Sequence, residues 1–576
     1  MNDDDLVNDV AATQRDGILS GLDEAQLEAA RALRGPVCIL AGAGTGKTRT
    51  ITQRIAFGIS TGAYAPERIM ALTFTTRAAG EMKTRLRQLN VGDVASTTFH
   101  AAAWRQLRHF WPQVIGGDTP DIMKGKSQLL SEVSRKVGLR ADKGVLRDIA
   151  ADIEWRKVSN LTLENYAEVV SQRPRIGGVS TEQLMSVHAE FERVKDERRL
   201  IDFEDVLLLT AGLLATEEAA LMEVRERYRF FVVDEYQDVS PLQHNLLSLW
   251  LGDRRDICVV GDASQTIYSF TGASSRYLLE FPSTFPDARV VRLETSYRST
   301  APIVGVANHI MRDRAGAISL STTKVAGDPP AIRAYADDVA EARDVASKIV
   351  AEMARGTQAK DIAVLYRTNS QSAVLETALA ELGVNYQVSG ETRFFDMPEV
   401  KKAIMSLRGA SVSATTDPLF KSVSDVMRSL GWTLEPPAET GSIRSRWEAF
   451  NAIVLLADQA PEGTSLRDFS SELLARQEAR HEPTMDAVTL STIHSAKGLE
   501  WASVYVVGLA EGSLPIWYAT SEEAINEERR VLYVAVTRAE NRLSLSWAAG
   551  SGSHAATRVQ SRFLAETGIG SRGETR

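Results

Sequence analysis

Eight residues near the start of the chain, Ala41-Gly42-Ala43-Gly44-Thr45-Gly46-Lys47-Thr48, bring three glycines together with a lysine and a hydroxyl. Glycines in that density let backbone N–H groups converge on an anion. The lysine adds a mobile positive charge, and the neighbouring hydroxyl can ligate Mg²⁺. This is chemistry for a nucleotide phosphate. The pattern ordinarily opens on glycine, and Ala41 in that place is tolerable at a strand end. A second candidate is Asp234-Glu235, directly after the apolar run Phe230-Phe231-Val232-Val233. Beside a phosphate loop, the first acid can hold the Mg²⁺ shell and the second can accept a proton from an attacking water. Gln265, in Gly261-Asp262-Ala263-Ser264-Gln265, could sense a γ-phosphate or orient water, with a structural role as the alternative. Phe74, Tyr268 and Phe270 could form a stacking platform for single-stranded bases, worth about 1–3 kcal/mol per base without sequence readout. On spacing alone the same aromatics fit a core better. Arg298 and Arg538 occupy turn regions of the later half, where arginines can stabilise the charge of a transferring phosphoryl group.

The elements that must position these groups alternate. Val37-Cys38-Ile39-Leu40 reads as a strand entering the glycine turn, and Arg49 to Ile55 as the helix leaving it. Asp23 caps a helix running to Leu33. Ile69 to Thr75 is a second buried strand feeding an amphipathic helix from Arg77 to Leu89, and Val94 to Phe99 a third strand. The apolar runs Phe230–Val233 and Ile257–Val260 each lead to an acidic residue, Asp234 and Asp262. Strands alternating with helices imply a parallel sheet with ligands at the strand C-terminal ends. A second αβ set begins near Val290, with strands at Ile362–Tyr366, Val488–Thr492 and Val504–Gly508. The expected class is therefore α/β, with two parallel-sheet lobes each carrying a helical insertion. A tail covers 1–20, the first lobe 21–100 and 201–289, and its insertion 101–200. The second lobe covers 290–387 and 485–567, its insertion 388–484, and a tail 568–576.

Composition narrows the classes. At 576 residues the chain exceeds one core, and 24% charged with 44% hydrophobic residues describes an ordinary globular protein. No apolar run is long enough to span a bilayer, so no membrane partner is expected, and two cysteines, Cys38 and Cys258, fit a reduced cytosolic setting. The net charge of −9 excludes a uniformly basic coat but not a local basic groove.

Taken in order, these pieces resemble a superfamily 1 DNA helicase of the UvrD/Rep/PcrA type. The resemblance rests on Leu22 to Gln26, Ala41–Thr48, Thr73-Phe74-Thr75 with Ala78-Ala79-Gly80-Glu81-Met82, and Thr98-Phe99-His100. It continues through Asp234-Glu235-Tyr236-Gln237-Asp238, Gly261–Tyr268, Tyr297-Arg298-Ser299-Thr300, Tyr366-Arg367-Thr368-Asn369, His494 to Glu500 and Val536 to Glu540. It implies two RecA-like lobes, ATP and Mg²⁺ as cofactors, and single-stranded DNA and single/double-strand junctions as partners. Gln26 would read the adenine edge, with Arg49 and Tyr297 stacking on its faces. Lys47 and Thr48 would hold phosphates and Mg²⁺, with Asp234 in the metal shell and Glu235 as general base. Gln265, Arg298 and Arg538 would contact the γ-phosphate, and Glu500 the ribose. Thr73, Phe74, Tyr268 and Phe270 would line base pockets, and Thr98, His100, Asn369 and His494 would lie along the strand. Translocation would run 3′ to 5′.

Departures from the family pattern carry expectations too. Thr271 stands where the family usually has Arg, and Ile516 replaces a His common in close relatives. The second insertion keeps Arg393-Phe394-Phe395 and Glu399-Val400-Lys401 but is shorter than in UvrD or PcrA, closer to compact actinobacterial UvrD paralogues. Those continue into a further helical domain, which makes this chain either a shorter natural member or a truncated one. A RecB-type helicase–nuclease would need more chain after Glu540. A non-motor ATP switch is disfavoured by the presence of Lys47, Glu235, Arg298 and Arg538.

Overall fold

The computed structural model describes residues 17–92, 94–170, 176, 179–324, 327–389, 397–411, 417–435, 442–458, 460–461, 463–479, 486–550 and 558–569. Arg393-Phe394-Phe395 lies outside the described residues. The chain divides into two compact units. One comprises Met1–Ala41 and Gly46–Leu293, the other Gly42–Thr45 and Glu294–Arg576.

The first unit is built on six parallel strands, β1 (Val37–Ala41), β2 (Ile69–Thr73), β3 (Ala95–Thr98), β4 (Phe230–Val233), β5 (Ile257–Gly261) and β6 (Arg289–Leu293). Their spatial order is β3-β2-β4-β5-β1-β6. β4 and β5 are buried along their whole length, which is why they read as unbroken apolar runs. One face packs Leu72, Phe231, Val233 and Val259 against Phe99, Leu246 and Trp250, and the other packs Ile39, Ala71 and Val260 against Ile51, Ile55 and Met82. β6 corrects the expected boundary near Val290. It pairs in parallel with β1, Val37 opposite Arg289 and Ala41 opposite Leu293. Its exposed, alternating residues are those of an edge strand and carry no continuous apolar signal.

Register sets the working edge of this sheet. Leu40 lies opposite Gly261, Leu72 opposite Val233, and the Asp234 N–H extends the ladder to the Leu72 carbonyl (2.8 Å). The residues following β1, β2, β4 and β5 therefore emerge together at the carboxyl edge, where parallel sheets bind ligands. Helices start there with explicit caps. Thr75 accepts from the Ala78 N–H ahead of helix Thr76–Gln88, and Thr98 from the Ala101 N–H ahead of helix Phe99–Val114. A helical insertion with its own core of Leu130, Val133, Ile149, Ile153, Val187 and Phe191 follows.

The second unit has another six-stranded parallel sheet, of β7 (Ala331–Asp337), β8 (Ile362–Tyr366), β9 (Tyr386–Val388), β10 (Val488–Thr492), β11 (Trp501–Val506) and β12 (Ala539–Gly550). The order is β7-β12-β11-β8-β10-β9. Helices Pro398–Ala410, Leu419–Ser429, Ser442–Asp458 and Leu466–Ala479 form a separate cluster around Val400, Leu407, Met427, Trp432 and Phe469. Among the described residues, no helix is long and apolar enough to cross a membrane. Both cysteines are buried free thiols, and burial pushes the Cys38 thiol up to about 12.

Candidate nucleotide and nucleic-acid sites

The glycine loop runs from Ala41, the last residue of β1, into helix Lys47–Ser60. Gly46 takes a left-handed conformation (φ 79°) as the helix cap, and a Cβ there would come within 2.8 Å of the Gln26 carboxamide nitrogen. Only glycine fits both demands. The Thr45 hydroxyl closes the loop by donating to the Gly42 carbonyl (2.9 Å). Gln26 is buried and forms a capping box with Asp23, its Oε1 accepting from the Asp23 N–H (3.1 Å). Its carboxamide is thus fixed beside Gly46. Arg49 lies in the first turn of the loop's helix, and its guanidinium reaches the Ser20 carbonyl (3.4 Å).

Charge concentrates where β4 ends. The Lys47 ammonium is 3.4 Å from the Glu235 carboxylate. Glu235 itself is held in a left-handed conformation, φ 52°, which costs a non-glycine residue about 1–3 kcal/mol and is maintained only by strong surroundings. Its backbone N–H donates to Asp234 Oδ1 (2.9 Å), and its Oε2 accepts from Gln237 Nε2. Gln237 is completely buried, and its Oε1 accepts from the Asp262 N–H after β5 (3.0 Å). Gln265 donates to Asp262 Oδ2 (2.8 Å). One chain of hydrogen bonds thus runs from Glu235 through Gln237 and Asp262 to Gln265. Gln237 is a candidate positioning residue to which the sequence alone assigned no role. Its role depends on a backbone group 25 residues away, which no spacing rule announces.

The donor set suits a divalent cation. The Thr48 hydroxyl hydrogen-bonds Asp234, and burial, then the charge of Glu235, push the Asp234 carboxyl up to about 7 against the pull of Lys47. Two adjacent carboxylates facing one lysine leave the pocket short of positive charge. Among the described residues, no cluster of three or more His, Cys, Asp or Glu could hold a metal unaided. A cation here would share its shell with phosphates and water, as Mg²⁺ does.

On the same carboxyl edge, Phe74 stacks on Tyr268 (centroids 5.6 Å apart, planes at 17°), and Phe270 tilts against Tyr268 at 6.1 Å. Phe74 and Phe270 are exposed. The turn carrying Phe270 ends at Gly272, where a Cβ would come 2.6 Å from Val158 Cγ2 of the helical insertion. Thr271 folds its hydroxyl back onto the Tyr268 carbonyl (2.8 Å). Thr73 and Thr98 are buried, Thr73 donating to the Thr75 carbonyl (3.0 Å) and Thr98 capping its helix. His100 stacks on Phe203 at 3.9 Å, and burial lowers its pKa to about 4.

In the second unit, the Tyr297 N–H donates to the Gly44 carbonyl (2.9 Å), and a Cβ on Gly44 would come 2.6 Å from Ser296 Oγ and 2.7 Å from Arg298 Cβ. The Arg298 guanidinium pairs with Glu500 (2.6 Å) and reaches the Thr537 carbonyl (3.1 Å). Arg538 is fully buried, bound to the carbonyls of Val534 and Leu499 (both 3.0 Å). Asn369 begins a short 3₁₀ turn, and His494 is held neutral at about 4 by burial and then by Arg367 and Lys497. Ile516 is buried, its N–H donating to Glu528 (3.0 Å), and Glu528 grips Arg367 bidentately.

Residues 22–286 match the UvrD/REP helicase N-terminal domain, and residues 291–434 and 446–550 the UvrD-like helicase C-terminal domain. The chain is 45% identical over 574 residues to the ATP-dependent DNA helicase UvrD2 of Mycobacterium tuberculosis, covering 95% of this chain and 82% of that one. It is 29% identical over 640 residues to the ATP-dependent DNA helicase PcrA of Bacillus subtilis, covering 95% of this chain and 86% of the relative. DNA helicase II of Escherichia coli is 30% identical over 621 residues, covering 92% and 85%.

Proposed function

For a chain that belongs to the UvrD/REP helicase family, we propose that ATP hydrolysis drives 3′-to-5′ movement along single-stranded DNA, in repair or replication maintenance. The enzyme is an ATP-dependent DNA helicase and a DNA-stimulated ATPase. The observation that carries the motor reading is that the hydrolytic residues and the aromatic stack leave one sheet edge. Phe74 follows β2, Glu235 follows β4 and Tyr268 follows β5. A base stacked there is linked to the hydrolytic glutamate through adjoining strand ends.

The steps follow from the residues. The glycine loop and Lys47 bind the phosphates. Glu235, fixed by Gln237 and facing Lys47, takes the proton of the attacking water. Gln265 reads the γ-phosphate through Asp262, and Arg298 and Arg538 add positive charge to the transferring phosphoryl group. Thr48 and Asp234 would hold Mg²⁺, which when bound neutralises phosphate oxygens. Gln26 and Arg49 receive the adenine with Tyr297, and Glu500 exchanges its pairing with Arg298 for the ribose. Phe74, Tyr268 and Phe270 stack bases, and Thr73, Thr98, His100, Asn369 and His494 line the strand's path. Junctions of single and double strands are the substrate on which movement begins.

Two features favour stripping bound proteins over processive unwinding. Thr271 spends its hydroxyl on Tyr268, and Ile516 is buried, so neither offers a polar grip on a duplex. The test compares streptavidin displacement from 3′- and 5′-biotinylated single strands with separation of a 3′-tailed duplex under single-turnover conditions. Displacement from the 5′ end alone, faster than duplex separation, is expected. Displacement from the 3′ end alone reverses the polarity, and equal rates with processive unwinding refute the preference.

A further inference from the structure

Arg367 and Glu528 form an ion pair taken almost wholly out of water, their side chains 14% and 5% exposed. Arg367 Nη2 donates to Glu528 Oε1 (2.8 Å), and Nε donates to Oε2 (3.0 Å) and Oε1 (3.2 Å). Glu528 Oε2 also accepts from the Ile516 N–H (3.0 Å). Separating such a pair would strand a buried charge, so the joint holds rather than slips. What it joins is specific. Arg367 follows β8, and its N–H and that of Thr368 both donate to Gln371 Oε1 (3.0 and 2.9 Å), closing the turn that begins at Asn369. Glu528 lies in helix Glu522–Val536, which is buried from Val531 to its end. Further along it, about 9 Å down the axis, the Val534 carbonyl accepts from Arg538 Nε (3.0 Å). The Thr537 carbonyl, just past the helix, accepts from Arg298 Nη1 (3.1 Å). One packed helix therefore carries the Asn369 turn through Glu528 and both arginines at its C-terminal end.

We propose that Glu528 is a positioning residue through which single-strand occupancy at the Asn369 turn sets Arg298 and Arg538 for the γ-phosphate. It touches no reacting atom and acts by keeping the turn and the helix in one geometry. A packed helix with a charge-locked joint passes on a small shift of the turn, where a hydrated surface pair would absorb it. The two-pronged contact also fixes direction, which a single hydrogen bond leaves free. The proposal rests on the single-strand motor reading and adds to it the residue that makes hydrolysis depend on DNA.

The test measures ATP turnover with and without saturating oligothymidine in Glu528→Gln, Arg367→Met and the double variant, beside oligothymidine anisotropy and melting temperature. The new carboxamide in Glu528→Gln can still accept from the Ile516 N–H, and in the double variant no unpaired charge is left buried. Glu528→Gln should lose most of its DNA stimulation, turnover at saturating DNA falling toward the DNA-free rate. DNA-free turnover, KM for ATP and oligothymidine affinity should stay near wild type, because Lys47, the carbonyls holding both arginines and the aromatic stack are untouched. The double variant should melt closer to wild type than Glu528→Gln and yet stay as poorly stimulated, since the joint is absent from both. Stimulation that returns with stability in the double variant overturns the proposal and leaves the pair purely structural. Full stimulation in Glu528→Gln overturns it as well. A wild-type chain that DNA does not stimulate at all refutes the motor reading itself, and this role with it.

Discussion

Gln237→Ala separates positioning from binding. The carboxamide it removes is completely buried, donates to Glu235 and accepts from the Asp262 N–H at 3.0 Å. Its Oε1 lies 2.4 Å from where a Cβ on Gly261 would be, so the side chain occupies a slot made for it. Loss of the acceptor leaves a buried N–H unsatisfied, costing about 1–3 kcal/mol of stability in the first unit. Loss of the donor frees Glu235, whose left-handed backbone already stores strain. A displacement near 1 Å costs about 10²-fold in rate. We expect kcat for DNA-stimulated ATP hydrolysis to fall by about 10²-fold while KM for ATP and single-strand affinity stay near wild type, because Lys47, the loop and the aromatic stack are untouched. Gln237→Glu keeps an acceptor for Asp262 but sets a carboxylate against Glu235. It should retain more stability than Gln237→Ala and still lose turnover. A Gln237→Ala enzyme with kcat within twofold of wild type, or with its whole defect in KM, refutes the positioning role.

Burial lowers the His100 pKa from 6.5 to about 4, so the folded form excludes a proton that the unfolded chain accepts. Its stability contribution is full above pH 6.5 and is lost as pH falls toward 4, by about 2 kcal/mol at pH 5. Urea unfolding at pH 7.5 and pH 5.0 should show that difference shrinking in His100→Gln. Phe74→Ala and Tyr268→Ala should each weaken oligothymidine binding by roughly 5- to 150-fold without changing the salt slope, which counts phosphate contacts at about −0.7 each. Arg298→Ala should abolish DNA-stimulated turnover with little change in melting temperature. Arg538→Ala should do so while also unfolding earlier, because its buried guanidinium binds two backbone carbonyls.

What could be read from the chain was whatever left a local mark. β1, β2, β4, β5 and β8 appear as apolar runs because burial on both faces demands them. β6 and β7 are exposed along alternate residues and gave no such run, so the first sheet extends past the expected boundary. Lys47, Thr48, Asp234 and Glu235 were legible because their chemistry depends on neighbours in sequence. Gln237 was not, since its partner is supplied by another strand. His100 was legible in part: its motif marks it as a candidate on the strand's path, while the stacking of its ring on Phe203, 103 residues away, leaves no local mark.

The central claim is that Glu235, opposite Lys47, is the base of a hydrolysis reaction that single-stranded DNA accelerates. Steady-state ATP hydrolysis by the wild type and by Glu235→Gln, with and without oligothymidine, tests it most directly. The account predicts strong DNA stimulation in the wild type and a loss of about 10²–10⁴-fold in Glu235→Gln, with ATP and oligothymidine still bound. DNA-stimulated turnover near the wild-type rate in Glu235→Gln would contradict it.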